Sequence, residues 1–335
     1  MFTQIDNTVD FFAVKSSDNS NFDTETADFL SNWSEKDAKW DFHRSNVQTI
    51  GEIYGTTAKY SKLANRMNSC STCLGFGMTN PDANGEIKPK LVEAKFCHVR
   101  HCPGCQWRRS LRNHRRLFTH LPTLEAEIPG MRWIFLTLTV KNPVMSDLRS
   151  TIAAMNAGWK RLIQRKDWPA LGWLRAVEVT KGQDGNPHPH FHVMLCVKPS
   201  YFKGRGYIKQ SAWLQNWRDA MRDQSIFKVH IQVVKPKSGG ALFAAVVETL
   251  KYSFKPGDIM RDPAFLFGMT EQLHKLRFLS TGGVLKGLLK DKMSNAEMIN
   301  GDESEGDIDQ KKSITYFFWN KKIRRYKKAK SEKID

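Results

Sequence analysis

Apolar residues change rhythm along the chain, and those changes mark out its elements. Residues 133–140 (WIFLTLTV) follow Pro129-Gly130, stop at Asn142-Pro143, and read as a short buried strand. Leu148, Ile152, Met155, Trp159, Leu162 and Ile163 then recur at helical spacing, with Ser146 or Asp147 placed to cap the start. Two further runs, 173–180 (WLRAVEVT) and 190–197 (HFHVMLCV), flank the turn-rich KGQDGNPHP and predict an antiparallel hairpin. A helix over 209–222, a strand over 228–234, a turn over 235–240 and a helix over 241–254 complete the pattern. This order gives an α+β fold, helices packed on an antiparallel sheet, and not a doubly wound parallel one.

The flanks read differently. Residues 1–36 are polar and acidic, a composition that cannot order itself by burial, and are expected to form a flexible leader. Residues 37–128 combine loose helical spacing with a cysteine-rich segment and read as a zinc-binding accessory region. The main domain is expected over 129–290. Residues 291–335 read as an acidic linker followed by a solvated basic tail, KKIRRYKKAK. The start of the chain has no signal-peptide pattern and no apolar run approaches membrane-spanning length, so a soluble, cytoplasmic protein is expected.

Charge narrows the partners. Lys and Arg number 52 against 34 Asp and Glu, a formal charge of +18 in 335 residues, which points to a polyanion.

Three constellations carry chemistry. In a strand, alternate residues share a face, so His188, His190 and His192 can converge on a divalent ion, with Glu178 on the partner strand as an oxygen ligand. Such a set suits Mn or Mg on a phosphate substrate, and Zn or Co also fits. Glu248 and Tyr252 stand four apart on a helix, with Lys251 and Lys255 beside them to offset phosphate charge. A phenolic oxygen can attack phosphorus and hold the phosphoryl group as an ester. Finally, Cys70 with Cys73 and Cys102 with Cys105 form two C-x-x-C knuckles suited to structural Zn, in which Cys97, His98 or His101 could replace a thiolate. The basic run after them, with Arg108 and Arg109, is placed to meet the DNA backbone.

The order of FLTLTV at 135–140, HPHFH at 188–192 and ETLKYSFK at 248–255 resembles the rolling-circle plasmid replication initiators of the HUH endonuclease superfamily, single-tyrosine type. A C-P-x-C followed by arginines is part of the same resemblance. It implies a five-stranded antiparallel sheet of ferredoxin-like type, with His190 and His192 binding the metal and Glu178 or His188 completing the set. It further implies that Tyr252 attacks the origin strand, leaving a 5′-phosphotyrosyl link and a 3′-hydroxyl for a host polymerase. Glu248 then directs water, so that the cycle ends by hydrolysis or strand transfer. Implied partners are origin DNA, as a hairpin or single-stranded nick site, and a host helicase; a homodimer is left open. The rival readings are a transposase or relaxase of the same chemistry and a non-catalytic, zinc-containing DNA-binding regulator.

Overall fold

The alternating runs become neighbouring strands in a computed structural model, which describes residues 28–203, 206–234, 239–250, 253–290, 292–300, 307–309 and 312–329. The chain opens with helices α1 (Leu30–Trp33), α2 (Lys39–Gly55) and α3 (Ser61–Asn68), followed by the hairpin β1 (Cys73–Met78) and β2 (Pro89–Ala94). The long helix α4 (Pro103–Glu127) starts with Pro103 in its first turn, where the missing N–H is no loss. Then come β3 (Arg132–Thr139), α5 (Leu148–Ile163), the hairpin β4 (Ala170–Lys181) and β5 (Pro187–Val197), α6 (Gln210–Met221), β6 (Val229–Val234) and α7 (Gly239–Leu250). The remaining elements are α8 (Pro256–Arg261), α9 (Pro263–Gln272), β7 (Leu279–Gly283), α10 (Asn295–Ile299), β8 (Thr315–Asn320) and β9 (Arg325–Lys328).

Five strands pair in the order β6-β3-β5-β4-β7, every neighbour antiparallel. The central position of β5 explains its near-continuous apolar sequence, because both its faces are covered. Phe191, Val193 and Leu195 share one core with Ile152, Met155 and Trp159 of α5 and Trp213 and Trp217 of α6. Met194 and Cys196 face the other way, into a second core with Leu117 and Leu124 of α4 and Val246 and Leu250 of α7. By strand alternation, His190 and His192 lie on this second face.

A second sheet, in the order β2-β1-β8-β9, corrects the reading of the chain's ends. The segment expected as acidic linker and basic tail supplies two strands, β8 just before KKIRRYKKAK and β9 within it: Phe317 and Tyr326 are fully buried, Tyr326 donates its hydroxyl to Ser71 O, and its N–H bonds Asp41. Alternation in TYFFWN accounts for this, since Phe317 and Trp319 point inward while Phe318 remains half exposed. The leader expected through residue 36 likewise contributes α1, whose Leu30 is buried; residues 1–27 lie outside the described residues. Within the expected acidic linker, α10 is closed by a capping box between Ser294 and Glu297. Among the described residues, no helix is long and apolar enough to cross a membrane.

Candidate metal and nucleic-acid site

Register across the central strands assembles the first cluster. Glu178 on β4 pairs with His190 on β5, and Thr137 and Thr139 on β3 pair with His192 and His190. Glu178 Oε2 lies 3.0 Å from His190 Nε2 and 2.8 Å from His192 Nε2, and the two ring nitrogens are 3.1 Å apart. All three side chains are buried. His190 Nδ1 lies 3.1 Å from the carbonyl oxygen of His188, which can only accept, so Nδ1 carries a proton and Nε2 is the nitrogen turned toward Glu178. Two imidazole nitrogens and a carboxylate oxygen that converge in this way form a donor set that fits a divalent cation. His192 is held on its other side by Thr137 Oγ1, 3.5 Å from Nδ1, and by a ring stack on Phe135.

His188 stands apart from the three convergent groups. Its Nδ1 is 2.6 Å from Asn142 Oδ1, and burial beside His190 keeps its pKa below the usual histidine value. Of the two alternatives for a third ligand, Glu178 is the one whose oxygen meets both histidines. Glu248 on α7 approaches from above, with Oε1 3.6 Å from His192 Nε2 and its side chain 44% exposed. Tyr252 and Lys251 lie outside the described residues. Lys255 is exposed at the N-cap of α8.

Beside the cluster runs an open cleft of about 880 Å³, lined by His188, His192 and Glu248, by Thr137, Asn142 and His230, and by Lys141, Lys181 and Lys228. Asn142 read in the sequence only as the end of a strand, and His230 was passed over within an apolar run; pairing of His230 and of His192 with Thr137 brings His230 onto the face of the cluster.

The second cluster is made of sulfur. Cys70 Sγ is 3.7 Å from both Cys102 and Cys105 Sγ, and Cys97 Sγ is 3.6 Å from Cys105 Sγ. These gaps are far too long for disulfides. Thiolates about 2.3 Å from a common ion at tetrahedral corners lie roughly 3.8 Å apart, so the spacing fits one structural ion. Backbone N–H groups of Cys97 and Val99 point at Cys70 and Cys97 sulfur, as suits anionic ligands. Cys102 and Cys105 sit at the N-terminus of α4, where the helix dipole favours thiolate. Cys73, expected as a ligand, is instead the first residue of β1 and lies outside this group; Cys97 takes the fourth corner. His101 is not among the convergent groups either; its Nδ1 lies 3.1 Å from the Tyr54 hydroxyl inside the core.

The two arginines expected at DNA part company. Arg108 is fully buried, donating to Met298 O at 2.8 Å and Ile299 O at 2.6 Å between the rings of Trp40 and Trp107. It is therefore a core residue, because helical spacing turns it toward α2 and α10. Arg109, on the next face, lines a small groove with Gln106, Thr249, Ser253 and Lys290.

The sequence profile of a family described as Replication protein matches residues 88–327. "Protein rep" of Bacillus amyloliquefaciens is 32% identical over 304 residues, covering 82% of this chain and 86% of the relative. "Protein rep" of Lentilactobacillus hilgardii is 33% identical over 264 residues, 74% of this chain and 82% of the relative, and that of Lactiplantibacillus plantarum 37% over 227 residues, 64% and 71%. No solved structure matches. The matched residues include Glu178, His190 and His192 together with Cys97, Cys102 and Cys105, with Cys70 lying before them, and the chain belongs to the replication protein family, the rolling-circle plasmid Rep family that its motifs resemble.

Proposed function

We propose that this replication initiator nicks one strand of its plasmid origin through Tyr252, at the cleft where Glu178, His190 and His192 converge. The convergence of those three ligand atoms beside a lysine-lined cleft is the observation that carries the reading. Glu178, His190 and His192 would hold Mn or Mg, and such an ion supplies Lewis-acid polarisation of the scissile phosphate. The phenolic oxygen of Tyr252 forms a bond to phosphorus as the bond from phosphorus to the 3′-oxygen breaks; the leaving oxygen takes up a proton and becomes the 3′-hydroxyl primer. The phosphodiester energy is kept in the 5′-phosphotyrosyl ester.

Glu248 suits the end of the cycle. Its side chain is nearly half exposed at the cleft, so it can take a proton from an incoming water that attacks the ester, or from the 3′-hydroxyl in strand transfer. Thr137 and His188 O fix the two histidine rings so that the ligand nitrogens face inward before substrate arrives. The sulfur cluster takes Zn in this reading, holding the start of α4 and with it Arg109 toward the DNA backbone.

A supercoiled plasmid bearing the origin, incubated with the protein and Mn or Mg, tests the proposal. A covalent protein–DNA adduct is expected, lost in Tyr252→Phe with DNA binding kept. No adduct from the wild type with either metal would reject the enzyme reading, and an adduct surviving Tyr252→Phe would move the nucleophile elsewhere.

A further inference from the structure

Phe227 is 77% exposed, the most exposed of the large apolar side chains among the described residues, although Ile226 and Val229 around it are buried. Its backbone is nonetheless fixed. Arg218 Nε donates to Ile226 O at 2.6 Å, Thr139 Oγ1 to Lys228 O at 3.0 Å, and Gln210 Nε2 to Val229 O at 3.1 Å. A ring held in water on a pinned frame contributes little to the fold, since the stabilisation from an aromatic comes from burying it. The ring lines the same cleft as His192 and Glu248, with Lys141 and Lys228 exposed beside it.

Thr139 sets the distance to the metal face. It pairs with His190 on one side and holds Lys228 on the other. At about 4.8 Å per strand spacing, Phe227 stands roughly 10 Å from His190.

We infer that Phe227 is the stacking platform for one unpaired base of the origin strand, with Lys141 and Lys228 meeting the phosphates that flank it. The inference rests on the reading of the cleft as the nicking site. Every base has a π face, so an aromatic ring accepts it whatever the sequence, and a ring already held in place loses little freedom on binding. Fixing one base also fixes which phosphate along the strand faces Glu178, His190 and His192. Phe227 is thus a positioning residue for the cut.

Labelled single strands spanning the origin, each with one abasic site, are titrated by fluorescence anisotropy against wild type, Phe227→Ala and Phe227→Trp, without added Mn or Mg. Wild type is expected to bind one abasic strand more weakly, by about 5- to 100-fold. Phe227→Ala should weaken the intact strand by a similar factor and cease to distinguish that abasic strand, while Phe227→Trp restores both. Wild-type affinity in Phe227→Ala, or an abasic profile unchanged by it, overturns the platform. The adduct assay separates this from the underlying reading. An adduct with an uncoupled abasic profile removes the platform alone, whereas a coupled profile without an adduct removes the nicking chemistry and leaves the platform.

Discussion

Gln106 Nε2 donates to Ser253 Oγ at 3.4 Å, tying the start of α4 to the residue that follows Tyr252. The next residue is held from the same quarter: the Phe254 ring meets the edge of His101 at 5.1 Å. Both partners belong to the segment folded around Cys97, Cys102 and Cys105, so the sulfur cluster buttresses residues 253–254. Cys97→Ser should lower bound metal and loosen those two residues, whereas Cys73→Ser should leave the metal unchanged. Metal analysis with hydrogen exchange over 253–254 measures both, and a loss of metal in Cys73→Ser would restore the two-knuckle assignment.

Glu178 bridges both histidines, so its removal should do more than subtract one ligand. In Glu178→Ala, adduct formation is expected to fall by on the order of 10²-fold or more, with single-strand binding retained. His188→Ala, outside the convergent set, should fall much less; equal losses in single-turnover assays would place His188 among the ligands.

Arg108 and Arg109 should answer to different measurements. Arg108→Ala strips two carbonyls and two rings of a buried guanidinium and should destabilise the fold by about 2–4 kcal/mol in denaturant unfolding. Arg109→Ala should leave the melt nearly unchanged but lower the slope of log affinity against log salt by about 1. A salt slope unchanged in Arg109→Ala would take it away from the DNA.

Acid should weaken the fold through His43, which stacks on Trp107 at 4.2 Å. Burial, with Lys39 and Arg108 nearby, lowers its pKa from 6.5 to about 3. The unfolded chain therefore binds the proton first, so the neutral ring's contribution is complete above about pH 6.5 and is lost progressively as pH falls toward 3. Thermal melts between pH 7 and 4 should show a shallower decline for His43→Phe than for wild type. Parallel curves would assign the acid sensitivity elsewhere.

Much of the central sheet was legible because its residues obey simple periods. The runs at 133–140, 173–180, 190–197 and 228–234 became β3, β4, β5 and β6, each within a few residues of its expected span; β4 starts earlier, at Ala170, and β5 reaches back into the hairpin loop to Pro187. β7 was not read, because LSTGG offers little alternation; Gly282 is there because a Cβ would sit 2.4 Å from the Trp173 ring. The histidine and glutamate cluster could be named from alternation across one hairpin. The choice of Cys97 over Cys73 could not, since it depends on how a chain turn at Ser71, with φ 46°, aims the start of β1. Phe227 lies one residue before the run at 228–234 and carries no signal of its own in the sequence; only the folded chain shows that it faces water.

The pairing of β1 with β8 sets a timetable for the molecule's own synthesis. A growing chain releases β3 through β7 well before Thr315–Asn320 arrives to join Cys73–Phe76, so the face that carries Glu178, His190 and His192 can assemble while β1, paired with β2 on one edge, still has its other edge open. Until then that waiting strand offers unpaired backbone groups to any other extended chain nearby. Messages cut short before β8 would accordingly yield products that associate with one another through that open edge of β1.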